Sequence, residues 1–207
     1  QAVEGVVNGI FFNQGHVCCA GSRLLVEESI AELVMKKLKK RMEQLRVGDP
    51  LDKNSDIGAI NSAAQLQTIE ALVKQAKDEG AEFYQPSRMK LPKKGFWHAP
   101  CVFSGVSSSS SIFRTEVFGP VLAMTTFRTP AEAVAKANDT PYGLAAGIWS
   151  EKGSKIYWTA SQLKAGVIWA NTYNKFDPSA PFGGYMESGY GREGGIHGLE
   201  AYLEVLS

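Results

Sequence analysis

The sequence predicts an α/β protein built on a mostly parallel, twisted β-sheet that helices cover. Between residues 120 and 172, three largely apolar runs, "PVLAMTTF", "LAAGIWS" and "VIWANT", alternate with two segments of helical character. This order is typical of parallel strands that are joined by crossover helices. Apolar residues continue along each run instead of alternating with polar ones, which indicates strands that are buried on both faces.

The first 45 residues add a helix, a strand and a second helix to this prediction. Ala2, Val6 and Ile10 lie at helical spacing near the start of the chain, and the apolar run "SRLLVEES" is typical of a buried strand. Ser29 is predicted to cap a helix over residues 30–45, because a serine hydroxyl readily accepts hydrogen bonds from the first free N–H groups of a helix.

The rest of the chain follows from the same kinds of signal. Gly80 is predicted to end an amphipathic helix over residues 61–79, since glycine adopts the left-handed conformation that closes many helices. Pro130 suits the first turn of a later helix, and the tract "SSSSS" (107–111) predicts a turn. The other predicted elements are strands over 81–86, 96–106, 120–127, 144–150 and 167–172, and helices over 130–140, 153–166 and 198–205.

The composition argues against several classes of function. The 207 residues carry 22 basic and 21 acidic side chains, whereas a nucleic-acid-binding surface usually shows a larger basic excess. The run "KKLKKR" is therefore predicted to be a solvated helix face. No metal site is predicted, because no C-x-x-C occurs and His16, His98 and His197 are scattered. No apolar run reaches the roughly 18 residues that a membrane span needs.

Two of the three cysteines stand side by side in "NQGHVCCAGSR". So small a number favours a reducing compartment over a disulfide framework. The pattern alone leaves two interpretations of Cys18, a buried inert side chain or a nucleophile on a turn. His16 is not predicted to act as its general base, since residues two apart in the chain rarely face each other.

The stretch "FFNQGHVCCAGSR" resembles the active-site cysteine signature of the NAD(P)-dependent aldehyde dehydrogenases. In that signature an aromatic residue is followed four positions later by glycine, then by Gln or Glu, any residue and the nucleophilic cysteine. Phe11, Gly15 and Cys18 match it, so the resemblance makes Cys18 the nucleophile. Cys19 matches a small packing neighbour, and His16 departs from the usual Gln or Glu. The third cysteine, Cys101, lies in an apolar strand and is predicted to belong to the core.

Two further stretches carry the same resemblance. "TEVFGPV" is similar to the family segment whose glutamate holds the nicotinamide ribose and whose aromatic residue packs beside the nicotinamide, and this implies those roles for Glu116 and Phe118. "GVIWANTYNKFDPSAPFGGYMESGYGREGG" resembles the family's closing run, which implies that Phe176 and Phe182 lie beside the aldehyde. A plain packing role for these two rings stays open. Met186 stands where the family usually has lysine.

The resemblance covers nearly the whole chain. It implies the Rossmann-like fold of an aldehyde dehydrogenase catalytic domain over residues 1–186. Residues 187–207 would then lead to an oligomerisation strand outside the chain. It implies that the cofactor-binding domain, the glutamate general base and the oxyanion-hole asparagine also lie outside. The family 16 branch is the nearest in pattern. NAD is the expected cofactor, with NADP possible, and a cytoplasmic homodimer or homotetramer is expected.

The resemblance therefore predicts the catalytic domain of an oxidoreductase that converts small aldehydes to carboxylic acids through a thiohemiacetal and a thioester on Cys18. The chain by itself is expected to be inactive. Two alternatives stay open. One is a noncatalytic scaffold domain, which the departures at His16 and Met186 would suit. The other is a cysteine hydrolase that works without NAD, for which the sequence offers only His16 as a base.

Overall fold

The computed structural model describes residues 1–204. It divides into two compact units, Gln1–Ala133 and a second unit that begins at Val134. Its helices and strands, in chain order, are α1 (Ala2–Phe11), β1 (Arg23–Glu27), α2 (Ala31–Met42), α3 (Ala63–Asp78), β2 (Glu82–Tyr84), β3 (Cys101–Ser104), α4 (Ser111–Arg114), β4 (Val121–Phe127), α5 (Pro130–Asn138), β5 (Ala145–Ile148), α6 (Gly153–Gln162), β6 (Val167–Ala170) and α7 (Gly195–Glu200).

The first unit is organised around a four-stranded sheet with the strand order β1-β4-β3-β2. Strand β4 runs parallel to β1, with Arg23 opposite Ala123, and parallel to β3, with Cys101 opposite Val121. Strand β2 is antiparallel to β3 at the edge. The predicted α/β class with a mostly parallel sheet is confirmed.

Both faces of this sheet are covered. Along β4, Leu122 and Met124 pack into a buried cluster with residues of α1 and α2, while Val121 and Ala123 pack into a second cluster with residues of α3. Successive side chains of a strand point to opposite faces. An uninterrupted apolar strand is therefore what a sheet with helices on both sides requires.

The second unit contains a parallel pair of strands, β5 and β6, with Ala145 opposite Val167. Helix α6 makes the connection that two parallel strands need. The sequence suggested that β4, β5 and β6 follow one another in a single sheet, and this is wrong. Both edges of β4 are already paired, one with β1 and the other with β3, so β4 has no edge left for β5.

The ends of several helices differ from the prediction. Ser29 does not cap α2. It lies in a 3-10 turn, Glu28–Ile30, where its hydroxyl donates to the Glu27 carboxylate at 3.4 Å, and α2 begins only at Ala31 and ends at Met42. Helix α3 behaves as predicted, because Gly80 follows it with φ of 88°, and its N-cap is Ser62, whose hydroxyl accepts from the Gln65 N–H.

Other predicted elements are shorter than the sequence suggested. Strand β3 occupies only Cys101–Ser104 of the predicted 96–106. The serine tract makes the predicted turn, in which the Ser110 N–H donates to the Ser107 carbonyl, and then continues into the one-turn helix α4. The last helix, α7, occupies Gly195–Glu200 and so begins earlier than the predicted 198–205. The final residue of that predicted range lies outside the described residues.

Candidate active site

The cysteine loop begins where α1 ends, and its backbone is unusual. Asn13, Gln14 and Gly15 adopt left-handed φ values of 49°, 48° and 74° in succession. Left-handed conformations cost side-chain-bearing residues free energy and persist only where the surroundings impose them. This run ends three residues before Cys18 and redirects the chain after the buried end of α1 at Phe11.

Side chains of this loop hold it against the segment that precedes α3. The Gln14 Oε1 accepts from the Gly58 N–H at 3.0 Å, and the His16 Nε2 accepts from the Asn61 N–H at 3.2 Å. The Asn13 Nδ2 closes the loop on itself by donating to the His16 carbonyl at 3.0 Å. The loop is therefore tied to fixed backbone donors at two points.

The three cysteines have different surroundings. Cys18 is exposed, whereas Cys19 and Cys101 are buried. Burial, followed by the neighbouring Cys18, raises the pKa of the Cys19 thiol to about 11. Burial raises the pKa of the Cys101 thiol to about 12. Cys18 is therefore the accessible thiol. The raised pKa values of Cys19 and Cys101 disfavour the thiolate, which is the reactive form, and both side chains suit the core.

The segment that carries Glu116 and Phe118 is clamped by helix α3. The Gln65 Nε2 donates to the Val117 carbonyl at 3.0 Å and to the Phe118 carbonyl at 3.1 Å. Phe118 has a left-handed φ of 52°, a conformation that needs such support. The ring of Phe118 stays 37 % exposed. Glu116 is exposed and makes no hydrogen bond or ion pair within residues 1–204.

The cysteine loop and the Phe118 segment meet. The rings of His16 and Phe118 stack with centroids 5.5 Å apart and planes only 10° from parallel. Behind them, a Cβ built on Gly15 would lie 2.1 Å from the Gly119 carbonyl oxygen, so the two backbones touch. The structure thus places His16 at the junction of the two predicted site segments, which lie far apart in the chain.

Phe176 and Phe182 belong to the second unit, where they form one end of an aromatic cluster. Their rings pack edge to face at 5.2 Å, and Phe176 also packs edge to face with Trp169 at 5.4 Å. The Trp169 Nε1 donates to the Lys175 carbonyl at 2.7 Å and ties the loop to β6. Phe176 is still 58 % exposed. Packing therefore engages both rings and leaves the surface of Phe176 available.

Several supporting residues were not found from the sequence. Gln14, Asn61 and Gln65 make the contacts that fix the cysteine loop and the Phe118 segment. Gln14 lies inside the quoted cysteine signature but was given no role. No local pattern marks Asn61 or Gln65, because their partners lie 45 and 52 residues away in the chain.

Comparison with known proteins decides the family. The sequence model described as "Aldehyde dehydrogenase family" matches residues 1–207. The chain belongs to this family. It is 44 % identical to aldehyde dehydrogenase B of Escherichia coli (strain K12) over 99 % of the chain and 40 % of that protein.

Solved structures of aldehyde dehydrogenases share the fold. An NAD-dependent aldehyde dehydrogenase from Sinorhizobium meliloti superposes with a TM-score of 0.93 and 39 % identity, over 97 % of this chain and 40 % of that one. A betaine aldehyde dehydrogenase from Staphylococcus aureus, in complex with NAD+ and with a BME-modified cysteine, gives 0.93 and 37 %, over 98 % and 42 %. The chain thus spans about two fifths of the length of these relatives.

Residues 1–204 contain neither a membrane-spanning helix nor a cluster of metal ligands. No helix in this part of the chain is long and apolar enough to cross a membrane. No group of three or more His, Cys, Asp or Glu side chains in the same residues is arranged to hold a metal ion.

Proposed function

We propose that this chain is the catalytic domain of an enzyme that oxidises aldehydes to carboxylic acids with NAD(P)+, and that Cys18 is its nucleophile. The observation that carries the proposal is the exposed thiol of Cys18 at the end of a constrained loop that touches the Phe118 segment. The buried thiols of Cys19 and Cys101 offer no competing nucleophile. Membership of the aldehyde dehydrogenase family supports the same chemistry.

Cys18 performs the covalent step. Its thiolate attacks the aldehyde carbon, a C–S bond forms, and the carbonyl electron pair moves to oxygen, which gives a thiohemiacetal on the cysteine. The backbone N–H of Cys18 donates to no backbone carbonyl within residues 1–204, so it can stabilise that oxygen. The second donor and the base that activates water for thioester hydrolysis are assigned to residues outside this chain.

Glu116 and Phe118 have the properties that a nicotinamide cofactor requires. Glu116 offers an unpaired, exposed carboxylate that can accept hydrogen bonds from a ribose diol, and Phe118 offers an exposed aromatic surface for a flat ring. When bound, NAD(P)+ supplies the hydride acceptor that converts the thiohemiacetal to a thioester. These two side chains therefore hold and orient the cofactor in the proposal, with further contacts in the upstream domain.

Phe176 and Phe182 are proposed to border the aldehyde. Their edge-to-face packing fixes both rings, and the exposed surface of Phe176 can cover an apolar substrate. The substrate class is a small-molecule aldehyde. Relatives named for betaine aldehyde and for 4-trimethylaminobutyraldehyde make cationic aldehydes a useful part of any test panel.

The contacts of His16 count against a cysteine hydrolase. Its Nε2 accepts from the Asn61 N–H, and its buried Nδ1 has no partner within residues 1–204. Neither ring nitrogen bonds the Cys18 thiol, so His16 is not placed to take its proton.

The deciding experiment uses the full-length natural protein and compares wild type with Cys18→Ser and Cys19→Ser. NAD+ and NADP+ reduction is followed with acetaldehyde, hexanal, benzaldehyde and betaine aldehyde. We expect wild type and Cys19→Ser to reduce the cofactor and Cys18→Ser to fail. If no variant turns over any aldehyde although wild type binds cofactor and is folded, the scaffold interpretation replaces the proposal.

The remaining expectations concern the whole protein. We propose a homodimer or homotetramer in the cytoplasm, with the main cofactor contacts in the upstream domain. Light scattering after size-exclusion chromatography measures the subunit number, and a monomer would contradict it. Fractionation of the native cells tests the compartment.

A further inference from the structure

His16 connects the cysteine loop to the ring of Phe118. The two rings are 5.5 Å apart between centroids and 10° from parallel, which is the offset-stacked arrangement that aromatic pairs favour. Phe118 keeps 37 % of its surface exposed in spite of this contact. The imidazole therefore supports the ring and leaves it accessible.

The tautomer of a neutral His16 ring follows from its other contact. Because the Nε2 accepts from the Asn61 N–H at 3.2 Å, the hydrogen of the neutral ring lies on Nδ1. That Nδ1 is buried and has no hydrogen-bond partner within residues 1–204, and an unpaired buried donor is unfavourable. The hydrogen bonds of His16 therefore do not explain why an imidazole stands at this position. The stack on Phe118 does, because it requires a flat ring.

A separate contact fixes the backbone of Phe118. Gln65 donates to the carbonyls of Val117 and Phe118, and this holds the main chain without restraining rotation of the aromatic ring. The ring is restrained by His16. The two contacts together define both where Phe118 stands and how its plane is turned.

We infer that His16 is a positioning residue, which sets the plane of the Phe118 ring and hence the surface that meets the nicotinamide. The inference rests on the proposed function, in which Phe118 packs beside that ring. His16 acts through Phe118 and has no direct part in the covalent chemistry of Cys18.

Two variants of the full-length natural protein separate the contacts of His16. His16→Gln keeps an acceptor within reach of Asn61 and removes the flat ring, whereas His16→Phe keeps a flat ring and removes the acceptor. We expect His16→Gln to raise the dissociation constant for NAD+, measured by calorimetry, about 2- to 10-fold, the range typical of an aromatic pair. His16→Phe should stay within about twofold of wild type.

The rate at which iodoacetamide alkylates Cys18 provides an independent readout. It should change by less than about twofold in His16→Gln, because the Gln14 anchor on Gly58 remains. A general loss of loop structure would change alkylation and NAD+ affinity together, and that result would overturn the inference.

A double-mutant cycle tests whether His16 acts through Phe118. In a Phe118→Leu background, His16→Gln should alter the NAD+ dissociation constant by less than about 1.5-fold, since the stacking partner is gone. An equal effect in both backgrounds, or no effect of His16→Gln in wild type, would overturn the inference.

The same measurements distinguish this inference from the proposed function. Wild type that binds NAD+ but oxidises no aldehyde would overturn the proposed function, and the cycle would still decide the role of His16. Wild type that binds neither NAD+ nor NADP+ would overturn both.

Discussion

Gly15 and Gly119 touch through their backbones: a Cβ built on Gly15 would lie 2.1 Å from the Gly119 carbonyl oxygen and 2.5 Å from its carbonyl carbon. One glycine lies three residues before Cys18, and the other directly follows Phe118. No side chain separates the two segments at this point. The absence of a Cβ at Gly15 therefore sets how closely the proposed nucleophile loop approaches the proposed cofactor segment.

Gly15→Ala should destabilise the protein and misplace Cys18. Alanine would meet a backbone oxygen that cannot move aside and would adopt an unfavourable φ of 74°. Gly80→Ala is the matched control, because Gly80 has φ of 88° and no atom within 4 Å of an added Cβ. We expect Gly80→Ala to cost about 1–2 kcal/mol of unfolding free energy and Gly15→Ala to cost more in urea titrations. Equal losses would contradict the close-contact explanation.

Gln65→Glu should loosen the Phe118 segment. The substitution replaces the only donor atom of the side chain with an oxygen that the Val117 and Phe118 carbonyls repel. We expect a loss of about 1–3 kcal/mol in unfolding free energy and a higher KM for the cofactor with little change in the KM for aldehyde.

The control for this change is Gln67→Glu on the same helix. The side chain of Gln67 is exposed and makes no hydrogen bond within residues 1–204, so its replacement should stay within about 0.5 kcal/mol of wild type. A similar loss in both variants would mean that added charge on α3, and not the carbonyl contacts, is responsible.

The sequence predicted the strand β4 well and its partners poorly. Apolar residues such as Leu122 and Ala123 pack on opposite faces of the sheet. A strand that is buried on both faces needs a continuous apolar run, and that run can be read in the sequence. Pairing with β1 joins residues about a hundred positions apart, Arg23 with Ala123, and no local pattern encodes it. The predicted cap at Ser29 is wrong for a local reason, because a 3-10 turn intervenes before α2.

The candidate site shows the same division. The motifs around Cys18, Glu116 and Phe118 were recognisable because they are contiguous in the chain. The contacts of Gln65 and of His16 were not predicted, since they form only when distant segments fold together. Sequence patterns therefore named the side chains proposed for the site, and the structure was needed to find the contacts that hold their segments in place.

Cys18 should react with thiol reagents far faster than the other cysteines. It is exposed, whereas burial raises the pKa of Cys19 to about 11 and that of Cys101 to about 12, which leaves almost no thiolate on either at pH 8. Iodoacetamide labelling followed by mass spectrometry should show Cys18 as the one modified residue among these three cysteines, and none of the three modified at early times in Cys18→Ser. Rapid labelling of Cys19 in the folded protein would contradict the burial described above.

The protein should become less stable as the pH falls through about 6.5, and His98 should contribute to this loss. His98 is only 7 % exposed, and burial lowers its pKa below the ordinary value of 6.5. Below that value the unfolded chain binds a proton that the folded chain resists, so the free energy of unfolding declines, by at most about 1.4 kcal/mol per pH unit. The decline ends once the pH falls below the lowered pKa of the folded state.

Urea titrations at pH 7.5, 6.5 and 5.5 measure this effect when wild type is compared with His98→Gln. The glutamine variant has no titrating group at this position, so its unfolding free energy should decline less steeply over the same range. The difference between the two slopes isolates His98 from the other groups that titrate. Parallel slopes would show that His98 binds its proton equally well in the folded and unfolded chains, contrary to the burial that the structure gives it.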